Sequence, residues 1–87
     1  MATVLLPRTL MDLFPAAAQR VDVDARSVGD VIERLDAVFP GMRNRLLDAG
    51  PRLRRHLLIF VDQERATLDT VVAPRSEVRI VPALSGG

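Results

Sequence analysis

Eighty-seven residues, 48% hydrophobic and 26% charged, are enough for one domain with a single modest core, and that composition argues against disorder. A net charge of +1 excludes the basic excess of a dedicated nucleic-acid binder, and zero Cys excludes a disulfide framework, a thiolate metal site and a cysteine nucleophile. No apolar run approaches the ~20 residues of a membrane helix, the N-terminus lacks the basic, apolar, small-residue order of a secretory signal, and a cytoplasmic location is expected.

Thr3 to Leu6 is a short apolar run closed by Pro7 and reads as a strand. Arg8 to Gln19 must hold a turn between this strand and the next, with Phe14-Pro15 candidates to pack beneath it. Arg20-Val21-Asp22-Val23-Asp24 alternates polar and apolar, the period of a strand with one buried face. Ser27 with Asp30 three residues on resembles a capping box that uses Asp in place of Glu. It opens the main helix, whose Val28, Val31, Ile32, Leu35, Val38 and Phe39 recur every three to four residues as one apolar stripe. Pro40-Gly41 ends it, and Met42 to Asp48 reads as one or two further helical turns before the loop Ala49-Gly50-Pro51.

Leu57 to Val61, five consecutive apolar residues, is the strongest strand signal in the chain. Asp62 to Arg65 reads as a turn and Ala66 to Val72 as a short, weak strand. Glu77 to Val81 is the last strand, ended by Pro82, which has no N–H for a ladder. The order β-β-α-β-β-β with one apolar helix face fits a single sheet crossed by a helix. Pleating then sends Leu57, Ile59, Val61, Val78 and Ile80 toward the helix, and Leu58, Phe60, Arg79 and Val81 away from it.

Conventional catalytic groupings are thin. His56, the single His, has no carboxylate or nucleophile at a catalytic spacing and reads as an ordinary strand-start residue. Arg43, Arg45, Arg52, Arg54 and Arg55 form a basic run, but without Tyr or Trp for base stacking it reads as a solvated or partner-facing patch. Asp22 and Asp24 read as solvated carboxylates, and no Gly-rich phosphate loop or metal cluster is evident. The terminal Val81-Pro82-Ala83-Leu84-Ser85-Gly86-Gly87 is the most informative segment. Two Gly without Cβ present a slim α-carboxylate that passes where any side chain would clash. All 12 basic residues are Arg, so no lysine here can accept an isopeptide bond, and any conjugation runs outward from Gly87.

Two stretches carry a resemblance: His56-Leu57-Leu58-Ile59-Phe60-Val61-Asp62-Gln63-Glu64, and Ser76-Glu77-Val78-Arg79-Ile80-Val81 running on through Pro82 to Gly86-Gly87. Together with the element order they make the whole chain similar to the MoaD/ThiS family of ubiquitin-like sulfur carriers. The long segment from Gly41 to Arg55 looks more like MoaD or the cysteine-biosynthetic carrier CysO than the more compact ThiS, and the Pro-Ala-Leu-Ser-Gly-Gly tail resembles CysO. Arg75-Ser76-Glu77 departs from the Gly-Asp pair usual before the last strand and touches no chemistry.

The resemblance implies an α+β, ubiquitin-like β-grasp fold: a mixed sheet of four to five strands with one main helix across it. Residues 1–82 form that domain and residues 83–87 a flexible tail. It implies a carrier and cosubstrate that binds no cofactor and is not itself an enzyme. A separate adenylating enzyme of the MoeB/ThiF type would use ATP to adenylate the Gly87 carboxylate, with Gly86 allowing the tail to thread, and sulfur would then replace AMP to give a thiocarboxylate. The acceptor expected is a cysteine synthase, with a metalloprotease to release the product, and neither nucleic acid nor membrane is involved. The small subunit of molybdopterin synthase, a thiamine-thiazole carrier, a ubiquitin-like modifier joined through Gly87 and a purely structural module stay open as alternatives. Because the last strand pairs beside the third in this fold, Leu58, Phe60, Arg79 and Val81 are expected to form the partner-facing surface, continued along the tail by Pro82, Ala83, Leu84 and Ser85.

Overall fold

The computed structural model describes residues 1–50 and 52–83. Five strands, β1 (Ala2–Leu5), β2 (Arg20–Val23), β5 (Leu57–Val61), β6 (Glu64–Arg65) and β7 (Glu77–Pro82), form one mixed sheet. Their order across it is β2-β1-β7-β5-β6. β1 and β2 form an antiparallel pair, β7 lies parallel to β1, and β5 runs antiparallel to β7. The last strand in sequence is therefore the central strand in space, held by a neighbour on each side. A separate hairpin pairs β3 (Leu47–Asp48) with β4 (Arg52–Leu53).

Helix α2 (Val28–Val38) buries Val28, Val31, Ile32 and Leu35 against the sheet. On the sheet side Val4, Ile59, Val78 and Ile80 are 0–1% exposed. Burying each such aliphatic side chain contributes roughly 1.5–3 kcal/mol. The capping expectation is half met: Ser27 Oγ accepts from the Asp30 N–H at 3.1 Å, while the Asp30 carboxylate accepts from the N–H of Arg26, one residue before the cap. The apolar stripe reaches its expected end, with Phe39 buried just past the helix, but Val38 is 60% exposed and falls outside it.

Four stretches differ from the sequence expectation. Within the segment expected to hold a turn, Arg8–Leu13 forms helix α1, opened by Pro7 and pinned by buried Leu10, and the turn follows at Pro15 and Ala16. Met42–Leu46 is helix α3, but Leu47 and Asp48 leave it for the β3–β4 hairpin, whose turn uses Gly50 at φ 96°. Asp36 Oδ1 sets α3 in place, accepting from the N–H groups of Gly41 and Arg43. The expected strand at Ala66 to Val72 is instead a loop carrying one isolated bridge, Ser27 to Val71. Two of its carbonyls serve the main helix: Thr70 O accepts from Val28 N–H and Leu68 O from Gly29 N–H, satisfying donors that a helix N-terminus leaves unpaired. Glu64–Arg65, expected within a turn, pairs with Val61 and Phe60 as the edge strand β6.

Candidate functional site

The site grows from the exit of β7. Pro82 is still in register, opposite Leu57. Hydrogen bonds from Asp62 N–H to Glu77 O (2.9 Å) and from Ala83 N–H to His56 O (2.7 Å) fix the alternation of this ladder. Pro82 consequently occupies a position whose backbone N points away from β5, toward the side where β1 has already ended at Leu5. The missing N–H costs no ladder bond there. Pro82 therefore belongs to the strand that it was expected to close. Pairing runs one residue further: Ala83, expected in the tail, is clamped to His56 by its amide.

The strand parity is as the sequence implied. Leu57, Ile59, Val61, Val78 and Ile80 are buried on the helix-covered face, while Leu58, Phe60 and Val81 are half-buried and Arg79 is exposed on the opposite face. Leu58 pairs directly with Val81, and Phe60 with Arg79. Register adds residues that the local sequence did not reveal. Arg79 also pairs with Leu5, Leu5 with Arg20, and Phe60 with Arg65. One row across the outer face therefore reads Arg20, Leu5, Arg79, Phe60, Arg65, with apolar and cationic groups alternating. Arg79 Nη2 donates to Glu77 Oε1 at 2.8 Å, and Phe60, Gln63, Glu77 and Arg79 line a shallow cleft of about 280 Å³. Leu84, Ser85, Gly86 and Gly87 lie outside the described residues.

The far end of the central strands is held by Asp62. It occupies the β5–β6 turn at φ 49°, followed by Gln63 at φ 73°, a left-handed pair that tightens the hairpin. Asp62 Oδ1 accepts from the Glu77 N–H and Oδ2 from the Ser76 hydroxyl, each at 2.9 Å. The Glu77 amide first, then the Ser76 hydroxyl, hold this carboxyl below its ordinary value. Asp62 thereby anchors the start of β7, the strand whose other end releases the tail. Among the described residues no group of three or more His, Cys, Asp or Glu is placed to hold a metal ion. None of their helices is long and apolar enough to cross a membrane.

Residues 4–87 match the ThiS family. The chain belongs to that family of small, ubiquitin-like sulfur carriers. It is similar to the sulfur carrier protein CysO of Mycobacterium tuberculosis, at 31% identity over 98% of this chain and 97% of the relative. The crystal structure of that CysO superposes with a TM-score of 0.87 at 29% identity, over 97% of this chain and all of the other. Small archaeal modifier protein 1 of Haloferax volcanii is 32% identical over 78% of this chain and 79% of its own length. Its crystal structure covers 99% of this chain and 98% of that one with a TM-score of 0.76. The Amycolatopsis orientalis complex of BexX with CysO shares the fold, with a TM-score of 0.88 at 23% identity and full coverage of both chains. The ThiS-family chain thus has the β-grasp architecture that its sequence implied, with a fifth, two-residue strand completing the sheet.

Proposed function

We propose that this ThiS-family chain carries sulfur on its C-terminal carboxylate for cysteine biosynthesis. A Gly87 carboxylate oxygen attacks the α-phosphorus of ATP on a separate adenylating enzyme of the MoeB/ThiF type, and pyrophosphate leaves. Sulfur at the sulfide level, as HS⁻, then attacks the acyl carbon, AMP leaves and the S–H proton is lost, giving a thiocarboxylate that a cysteine synthase consumes. A metalloprotease that frees the product completes the scheme. Adenylation is needed because a free carboxylate would have to expel oxide. The enzyme partner supplies the nucleotide site and the charge stabilisation; this chain supplies the reacting atom and its presentation.

The observation that carries the reading is the placement of the tail root. The tail leaves from the central strand of the sheet, with Ala83 clamped to His56, beside an outward face of Leu5, Leu58, Phe60 and Val81. The similarity to CysO over nearly the whole of both chains supports the cysteine pathway in particular. Incubating the chain with an adenylating enzyme from the same cells and ATP tests it. Pyrophosphate release that depends on Gly87 is expected, and no release with any such enzyme sinks the proposal.

The similarity to an archaeal modifier favours a second reading, conjugation through Gly87 to lysines of other proteins. In that case the chain would act only as donor, since its 87 residues contain no Lys. Isopeptide-linked adducts on other proteins distinguish that reading from a thiocarboxylate.

A further inference from the structure

A second surface lies at the tail root, on the helix side of the sheet's end, and the outer face does not include it. Thr9, Leu10 and Leu13 of α1 form one wall of a groove of about 340 Å³, Arg45 and Arg54 the other, and His56, Leu57 and Pro82 its end. Its floor is apolar: Leu10 and Leu57 are buried, and Leu13 is 49% exposed, leaving a large apolar side chain open to a ligand. Its rim is cationic. The Arg54 guanidinium is fixed in place, since Nε and Nη2 both donate to the Asn44 carbonyl at 3.0 and 2.7 Å. Arg45 and the His56 side chain make no hydrogen bond or ion pair within the described residues, whereas neighbouring Arg43 is engaged by Glu33 at 2.7 Å. Asp12, the one acid of α1, is not among the lining residues.

Charge is sorted along the strands in the same direction. The tail end carries Arg8, Arg43, Arg45, Arg52, Arg54 and Arg55 against Asp12, Glu33, Asp36 and Asp48. The opposite end carries Asp22, Asp24, Asp30, Asp62, Glu64, Asp69 and Glu77 against Arg26, Arg34 and Arg75, while Arg20, Arg65 and Arg79 share the row between the two ends. A chain of net charge +1 is thus polarised, with its basic end around the emerging tail. Such sorting raises association rates with an oppositely charged surface and orients the encounter.

We propose that the groove between α1 and the α3–β4 segment binds an acidic peptide segment bearing one large apolar side chain, supplied by the protein that receives the tail. The apolar side chain fills the floor between Leu10, Leu13 and Leu57, and flanking carboxylates meet Arg45, Arg54 and His56. This rests on the reading that a partner uses the Gly87 carboxylate. It adds a second anchor to that encounter, so that groove and tail root are engaged by one protein from two sides.

The test is an amide and arginine side-chain NMR titration of the whole chain with the capped peptide Asp-Glu-Leu-Asp-Glu. Saturable shifts confined to Thr9, Leu13, Arg45, Arg54, His56 and Leu57 are expected, weakening as salt screens the charges. The double variant Leu13→Ser, Arg45→Glu should bind about tenfold less tightly with an unchanged thermal melt. Uniform shifts at every arginine, or the same shifts from inorganic phosphate alone, overturn the proposal: the first is non-specific attraction, the second a small-anion site. A chain lacking residues 84–87 should bind the peptide as the full chain does. Binding only after that deletion would give the groove to the chain's own tail and also overturn it. Because the titration involves neither ATP nor sulfur, the groove can stand where the thiocarboxylate reading fails, and the reverse.

Discussion

The two faces of β5 and β7 are built from alternate residues of the same two strands and do opposite work. On the inner face Ile59, Val78 and Ile80 are 0–1% exposed and meet the apolar stripe of α2. On the outer face Leu58, Phe60 and Val81 are only half-buried and share their rows with Arg79. Adjacent residues in sequence therefore belong to different problems. Ile59 is part of what keeps the domain folded, and Phe60 is available to another molecule. In a domain this small, where one sheet and one main helix make the core, the proposed partner surface falls on the alternate positions of the strands that hold the fold.

The most damaging change to function should leave both faces untouched. Deleting Gly87, or adding one residue after it, is expected to abolish adenylation while the thermal melt stays nearly constant. Normal adenylation of either variant would show that Gly87 is not the reacting terminus. Ile59→Ala attacks the inner face and should cost roughly 2–5 kcal/mol of stability, the range for emptying a buried aliphatic site. Calorimetry reads it directly. Phe60→Ala attacks the outer face: partner binding should weaken about 30-fold, the equivalent of ~2 kcal/mol for a central aromatic anchor, with a much smaller loss of stability. If Phe60→Ala unfolded the domain and Ile59→Ala were benign, the two faces would be exchanged.

The smallest expected effect concerns what anchors both faces at the end remote from the tail. Asp62 has its carboxyl lowered by the Glu77 amide and the Ser76 hydroxyl. A group depressed in the folded state contributes stability above its unfolded pKa, near 4, and loses it as pH falls through the folded value. Asp62→Asn keeps a side chain that tolerates φ 49° but removes the charge. It should melt slightly below the parent at pH 7, with the gap closing as pH drops below about 4. A gap independent of pH would mean that the carboxylate's charge has no part in holding the strand.

What the sequence made legible follows from how local each cause is. The five apolar residues of Leu57–Val61, the alternation of Arg20–Val23 and the Ser27 cap act over a few residues, and each produced the expected element. Strand parity was readable for the same reason. Helix α1 was not, because six residues with Leu10 alone buried present too short a stripe to stand out from a turn. The β3–β4 hairpin escaped because two-residue strands have no period. Ala66 to Val72 looked like a strand because Ala66, Leu68 and Val72 are spaced as one, yet Leu68 and Thr70 lend their carbonyls to the N-terminus of α2, a partner distant in sequence. The candidate surface was legible for Leu58, Phe60, Arg79 and Val81. Leu5, Arg20 and Arg65 join it only through register, which no local pattern specifies.

The most direct test of sulfur carriage is the intact mass of the chain purified from its own cells under conditions that preserve thiocarboxylates. A population heavier by the difference between one sulfur and one oxygen is expected, with the change mapped to Gly87 and absent from the Gly87 deletion. A terminus found only as free carboxylate, or found only in isopeptide linkage to lysines of other proteins, would contradict it.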